Sequence, residues 1–283
     1  MKIIFAFFLL ASPALAQDDL LSILETEETG GDESVYAAFK TTRIVNGQSV
    51  KMHPRGVLNF IIGHRFGKIN DGLYHFFGLD ESTIRLGLEY GIADRIGVGI
   101  GRSSFQKTYD GAIKIKALRQ NAQMPVSVVL YSGLSATSLR DIGSYYSSRY
   151  FFFNQLLIAR KFSSAFSAQL TPTLIHRKLA ETARDPNTLF ALGFGGRIKL
   201  TNRVSLNGEY FPGFSGYDNP GFFNCLAIGF DIETGGHIFQ LHFTNSHGMV
   251  ENYFVAETTG DVSNGDIYFG FNINRVFQIV KNR

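Results

Sequence analysis

From Gly56 onward the chain repeats one pattern: about ten residues of alternating polarity, then a turn or loop. Twelve segments carry it, at roughly 56–67, 83–91, 95–104, 108–119, 125–133, 150–162, 166–178, 188–200, 204–212, 223–233, 237–245 and 266–279. A tilted strand needs about 9–11 residues to cross the hydrocarbon of a bilayer. In Arg95–Ser104, Ile96, Val98 and Ile100 share one face while Gly97, Gly99, Gly101 and Ser103 share the other. Val204, Leu206 and Tyr210 likewise oppose Ser205, Asn207 and Glu209.

The connections sharpen this reading. Ile92-Ala93-Asp94, Ser163-Ser164-Ala165, Thr201-Asn202-Arg203 and Thr234-Gly235-Gly236 are tight turns. Between them fall long connections at 68–82, 134–149, 179–187, 213–222 and 246–265, with 105–107 the exception. Short turns on one rim and long loops on the other describe an all-β, transmembrane, antiparallel up-and-down barrel. An even strand count places both of its ends on the short-turn, periplasmic side. Two segments fit less well. Tyr150–Phe162 is apolar on both faces, and Val35–Val50 is either a periplasmic lead-in or a segment folded into the barrel.

The N-terminus predicts export. Lys2, the apolar run Ile3–Ala11 and the small-x-small site Ala14-Leu15-Ala16 form a cleavable signal over 1–16. Beyond it no run of 18 apolar residues remains, so a membrane-spanning form requires a closed barrel. An acidic periplasmic segment and lead-in over 17–55 then precedes a barrel domain over 56–283. Seven acids and no base lie in 17–34. All of the 27 basic residues but Lys2, and 17 of the 24 acids, lie beyond it, a net charge of +9. The bases are scattered along alternating strands, which argues against nucleic acid as a partner. Cys225 is the only cysteine, so no internal disulfide or multi-cysteine metal site forms, and no cofactor motif is present.

Phe39-Lys40-Thr41-Thr42-Arg43-Ile44, His64-Arg65-Phe66-Gly67, Phe76-Phe77-Gly78-Leu79-Asp80, Gly101-Arg102-Ser103-Ser104 and Lys107-Thr108-Tyr109-Asp110-Gly111 resemble an outer-membrane β-barrel family of Bacteroidetes-type Gram-negatives. That family is a domain of unknown function, so the resemblance implies barrel and location and no activity. The last segment sets Ile267, Phe269, Phe271, Ile273, Phe277 and Ile279 on one parity, interrupted by Arg275. It resembles the terminal signal read by the barrel insertion machinery. Expected partners are therefore outer-membrane lipid, that machinery, and a periplasmic or surface protein.

Parity sends Arg65, Arg85, Glu89, Asp110, Lys114, Lys116, Arg177, Arg197, Lys199, Glu209, Asp231 and Glu233 inward. They form either a salt-bridged lumen or a charged constriction. Twelve tilted strands give a backbone radius of roughly 12 Å, between packed eight-stranded barrels and open porins. The expected function is a narrow passive channel for small solutes. The alternative is a structural or partner-anchoring barrel with a filled lumen. A lipid-acting enzyme using Asn245, Ser246, His247 or His242 is a distant third, because a triad is defined by geometry rather than by neighbours in sequence. A metal site drawn from His75, His237, His242 and His247 lacks ligand spacing, and Gly97-x-Gly99-x-Gly101 lies within a strand and makes room in the lumen. The expected outcome of fractionation is recovery with the outer membrane and a heat-dependent shift in gel mobility. Recovery as a soluble periplasmic protein without detergent overturns the barrel reading.

Overall fold

The computed structural model describes residues 38–139, 150–178, 186–215 and 221–280, all within one compact unit, Ser34–Arg283. The expected signal over 1–16 and the acidic segment over 17–34 lie outside these residues. Twelve long strands form the wall: β1 Val57–Lys68, β2 Ser82–Ala93, β3 Ile96–Ser103, β4 Thr108–Leu118, β5 Ser127–Thr137, β6 Tyr150–Lys161, β7 Phe166–Arg177, β8 Thr188–Lys199, β9 Val204–Phe211, β10 Cys225–Thr234, β11 His237–Thr244 and β12 Tyr268–Gln278. Each pairs antiparallel with its sequence neighbour, and β1 pairs with β12 (Ile62 opposite Ile273), which closes the barrel and leaves no free edge. A three-residue strand, Gly213–Ser215, continues β9 against β8.

Strict alternation fixes what each face meets. Leu88, Ile100, Leu130, Phe152, Phe194 and Phe230 point outward and are exposed, as a lipid-facing band requires. Their inward neighbours Val129, Phe153, Leu157, Arg65 and Gln240 are buried. His64, on the outward parity of β1, lies parallel to Phe271 with ring centres 4.9 Å apart.

The double-sided apolarity of 150–162 has a physical cause. Its inward residues Phe153, Leu157 and Ala159 are buried in an apolar core inside the lumen and Phe151 against Tyr253, while Phe152 faces out. β5 runs four residues further than its expected end at Gly133. Leu134 to Thr137 keep the two-residue alternation; Leu134 to Ala136 pair with both β4 and β6 (Ala136 opposite Tyr109 and Tyr150), and Thr137 with Thr108 of β4.

Val98 faces outward between Tyr90 and Ile113, whereas a side chain at Gly99 first meets Glu89 at 3.4 Å. Val98→Arg is expected to cost about 2–4 kcal/mol of barrel stability in lipid, and Gly99→Ser to be mild. Unfolding titrations of the two variants in vesicles check this, and equal tolerance excludes the register.

Candidate functional site

The barrel closes on its own chain. Residues 38–50 form a hairpin inside the lumen, entered from the short-turn rim, where Lys40 Nζ donates to the Asn202 carbonyl (3.0 Å) and to Glu233 (2.7 Å). Of the two placements open for this stretch, it takes the one folded into the barrel. Its arms join through an Arg43–Gln48 bridge and a Ser49 N–H bond to the Thr42 carbonyl. They reverse at Val45-Asn46-Gly47, residue types suited to a tight turn.

A backbone carried into a narrow lumen has polar groups that must be paired. Wall side chains pair them. The Glu209 carboxylate accepts from the N–H groups of Val45 (3.2 Å), Asn46 (2.7 Å) and Gly47 (3.0 Å). Lys114 donates to the carbonyls of Thr42 and Ser49, one on each arm, both at 3.1 Å. Gln169 bonds Val50 N–H and the Gln48 carbonyl, Gln240 the Ile44 carbonyl, and Asn272 the Val45 carbonyl.

A second insert comes from the opposite rim. Residues 245–258 fold inward, and the short helix Asn252–Ala256 is wholly buried. The two inserts meet at Arg65, which is 1% exposed and donates to the Ser246 (2.6 Å) and Gly248 (3.2 Å) carbonyls, to His242, and to the Asn46 side chain of the hairpin. Glu251, fully buried, faces Arg43 at 3.6 Å and accepts from Gln48 at 3.0 Å. Apolar residues divide the interior. Phe39, Ile44 and Val50 of the hairpin, with Phe254 and Val255 of the second insert, form one core with the inward residues of β5–β10. Asn59, Arg65, Arg85, Asp110 and Lys114 give the β1–β4 side its polar character. Each fully buried apolar side chain contributes about 1.5–3 kcal/mol, so the hairpin is held by both kinds of wall.

All the inward charges expected from sequence sit on lumen-facing positions. Arg85 and Asp110 form a two-point ion pair, with one bond at 3.0 Å. Glu89, Lys114, Arg43, Lys51 and His53 border a cavity of about 30 Å³ between the hairpin and β2–β5, and a second cavity beside Arg65 measures about 10 Å³. These spaces are of the order of a few water molecules at most. Lys116, Arg197 and Lys199 lie toward the short-turn end, where Arg197 donates to Ser205 (3.0 Å). Arg177 lies at the other end, on the last residue of β7. Asp231 accepts from Gln240 (2.7 Å) and Glu233 from Lys40. Burial pushes the imidazoles of His53, just after the hairpin, and His247, in the second insert, down to about 4, so both are uncharged at neutral pH.

The catalytic and metal candidates are not assembled. Ser246 Oγ donates to the Gly248 carbonyl, and the His247 ring lies against Phe105 and Tyr268. His237 sits at the short-turn rim beside Arg275, far along the barrel from the loop that carries His75. Among the described residues no three metal-ligating side chains cluster. Cys225 is buried and accepts from Asn46 at 3.4 Å. Sequence reasoning missed Arg43, Asn46, Gln48 and Glu251. The available signals were Asn46-Gly47 flanked by Ile44-Val45, and glycines on inward parity. A Cβ on Gly195 falls 2.3 Å from Ile44, on Gly91 2.0 Å from the Pro54 carbonyl, and on Gly63 3.0 Å from Met249.

Gly196, next along β8, points out, its Cβ meeting nothing closer than 3.9 Å. Gly195→Val is therefore expected to displace Ile44 and lower stability by about 1–3 kcal/mol, whereas Gly196→Val has little effect. Thermal gel-shift midpoints of the two variants in one lipid distinguish them. A neutral Gly195→Val removes the hairpin from the lumen.

Residues 39–277 match the model of a family described as a membrane bound beta barrel domain (DUF5777). No curated protein matches the sequence. Among solved structures, the chain is similar to the NanC porin, with 6% identity, a TM-score of 0.49 and coverage of 79% of this chain and 100% of that one. It is also similar to outer membrane phospholipase A from Escherichia coli, with 9% identity, a TM-score of 0.47 and coverage of 83% and 97%. An outer membrane channel from Pseudomonas putida F1 gives 11% identity, a TM-score of 0.48 and coverage of 80% and 97%.

Proposed function

The chain belongs to the DUF5777 family of membrane-bound β-barrel domains, and we propose that it is a self-plugged barrel of the bacterial outer membrane that anchors or assists a partner. The export signal expected at the N-terminus supports that location. The observation that carries the function is the filled lumen. Two inserts from opposite rims meet at Arg65, and the cavities beside them measure about 30 Å³ and 10 Å³. Spaces of that size hold water molecules, which supports the filled-lumen alternative over an open passive channel.

One observation favours a second reading, a gated channel for small solutes. The bridge within residues 38–50 joins its own two arms, and among the described residues no strand of the wall pairs with it. Its withdrawal would leave every wall ladder intact. The apolar hairpin contacts oppose withdrawal, at a cost of about 1.5–3 kcal/mol for each of Phe39, Ile44 and Val50.

Single-channel recording separates the readings. The wild-type protein in planar bilayers is expected to show no conductance steps, because the hairpin stays seated. Steps from the wild type overturn the plugged reading and restore the passive channel. Steps that appear only in Glu209→Lys, where the hairpin tip faces a cation instead of a carboxylate, assign the gated one.

A further inference from the structure

The two rims differ in charge. On the short-turn rim, six arginines are exposed: Arg55 before β1, Arg95 and Arg203 in tight turns, Arg119 after β4, Arg160 near the end of β6, and Arg275 on β12. Among the described residues of that rim, Asp94 is the exposed acid, since Glu233 is half-buried against Lys40. The arginines are distributed around the barrel instead of forming one patch. On the long-loop side, among the described residues, exposed Asp71, Asp80 and Glu81 are matched by exposed Arg102, Lys107 and Lys178.

Two of the six show how the collar meets the membrane. Arg160 points outward, its guanidinium carbon 5.2 Å from the ring centre of Phe162. Arg275 breaks the outward apolar series of β12, and its guanidinium lies 5.2 Å from the ring centre of Phe277 and bonds His237 at 2.6 Å. Phe162 is 57% and Phe277 39% exposed, so both rings continue the lipid-facing band to its edge. Aromatic rings at that level sit among lipid headgroups. A guanidinium laid on such a ring keeps N–H donors free for phosphate, which it matches with two parallel bonds.

From this geometry we propose that the short-turn rim is a collar for lipid phosphate, selecting anionic phospholipid headgroups in the adjoining leaflet. The continuity of the collar with the lipid band names a membrane lipid as occupant over a soluble phosphate. The collar sits outside the lumen, so the assignment is independent of whether the barrel conducts.

The test compares wild-type protein with a combined Arg95→Gln, Arg160→Gln, Arg203→Gln and Arg275→Gln variant. Each is reconstituted with equal phosphatidylcholine and phosphatidylglycerol, released from the membrane, and analysed by native mass spectrometry for retained lipid. Wild type is expected to retain phosphatidylglycerol in preference. The variant should lose that preference by about fivefold for each arginine removed, the Boltzmann equivalent of one basic side chain at an anionic leaflet. Arg→Lys at the same four positions keeps the charge and should keep most of the preference. Single Arg160→Gln gives the same readout with the least disturbance to folding. Equal preference in wild type and the Gln variant, or none in wild type, overturns the proposal. Displacement of retained lipid by millimolar inorganic phosphate also overturns it, by assigning the collar to a soluble anion.

Discussion

A peptide segment inside a narrow barrel brings its own N–H and C=O groups into a space with little water, and each unpaired group there costs on the order of a hydrogen bond. The hairpin at 38–50 meets that constraint with side chains from the wall. Glu209, Lys114, Gln169, Gln240 and Asn272 come from five different strands, and each ends on hairpin backbone. The rest of the interior follows from this arrangement. Inward glycines stand where hairpin side chains approach, as at Gly195 beneath Ile44. The apolar half of the lumen covers Phe39, Ile44 and Val50, and the second insert supplies Glu251 to Arg43 and Gln48.

That division answers a question that lumen charge alone leaves open. A ring of inward cations suggests a selective constriction when the space between them is empty. Here Lys114 spends its donors on two carbonyls of the hairpin, and Arg85 is committed to Asp110. Arg65 is bound on all sides by carbonyls, an imidazole and Asn46. Lys114, Arg65 and Glu209 link the wall to what fills it, and Arg85–Asp110 ties β2 to β4 across the wall.

The wall was legible in sequence because its signal is local. Period-two alternation and turn length depend on neighbours a few residues apart, so strand identity, closure and the inward set from Arg65 to Asp231 can be read directly. The contents of the lumen were not legible in this way. Asn46 meets Arg65, 19 residues on, and Glu209, 163 residues on, and no local period marks either meeting. The apolar double face of 150–162 was visible as an irregularity, and its explanation lies in Phe254 and Val255, about a hundred residues on. Asn245-Ser246-His247 shows the reverse error. Proximity along the chain suggested shared chemistry, whereas Asn245 ties β10 to the insert, Ser246 caps a carbonyl and His247 packs on rings.

The hairpin precedes every strand of the wall, yet its tip is held by the latest ones. Glu209 stands 163 positions beyond Asn46, and Asn272 stands 227 beyond Val45. The chain therefore commits its earliest described residues to contacts with strands that follow much later in sequence, up to Asn272 on β12. Seating the hairpin thus depends on strands laid down long after it, a separation of contacts that slows folding in general. Until those strands are in place, the N–H groups of Val45, Asn46 and Gly47 lack their Glu209 acceptor.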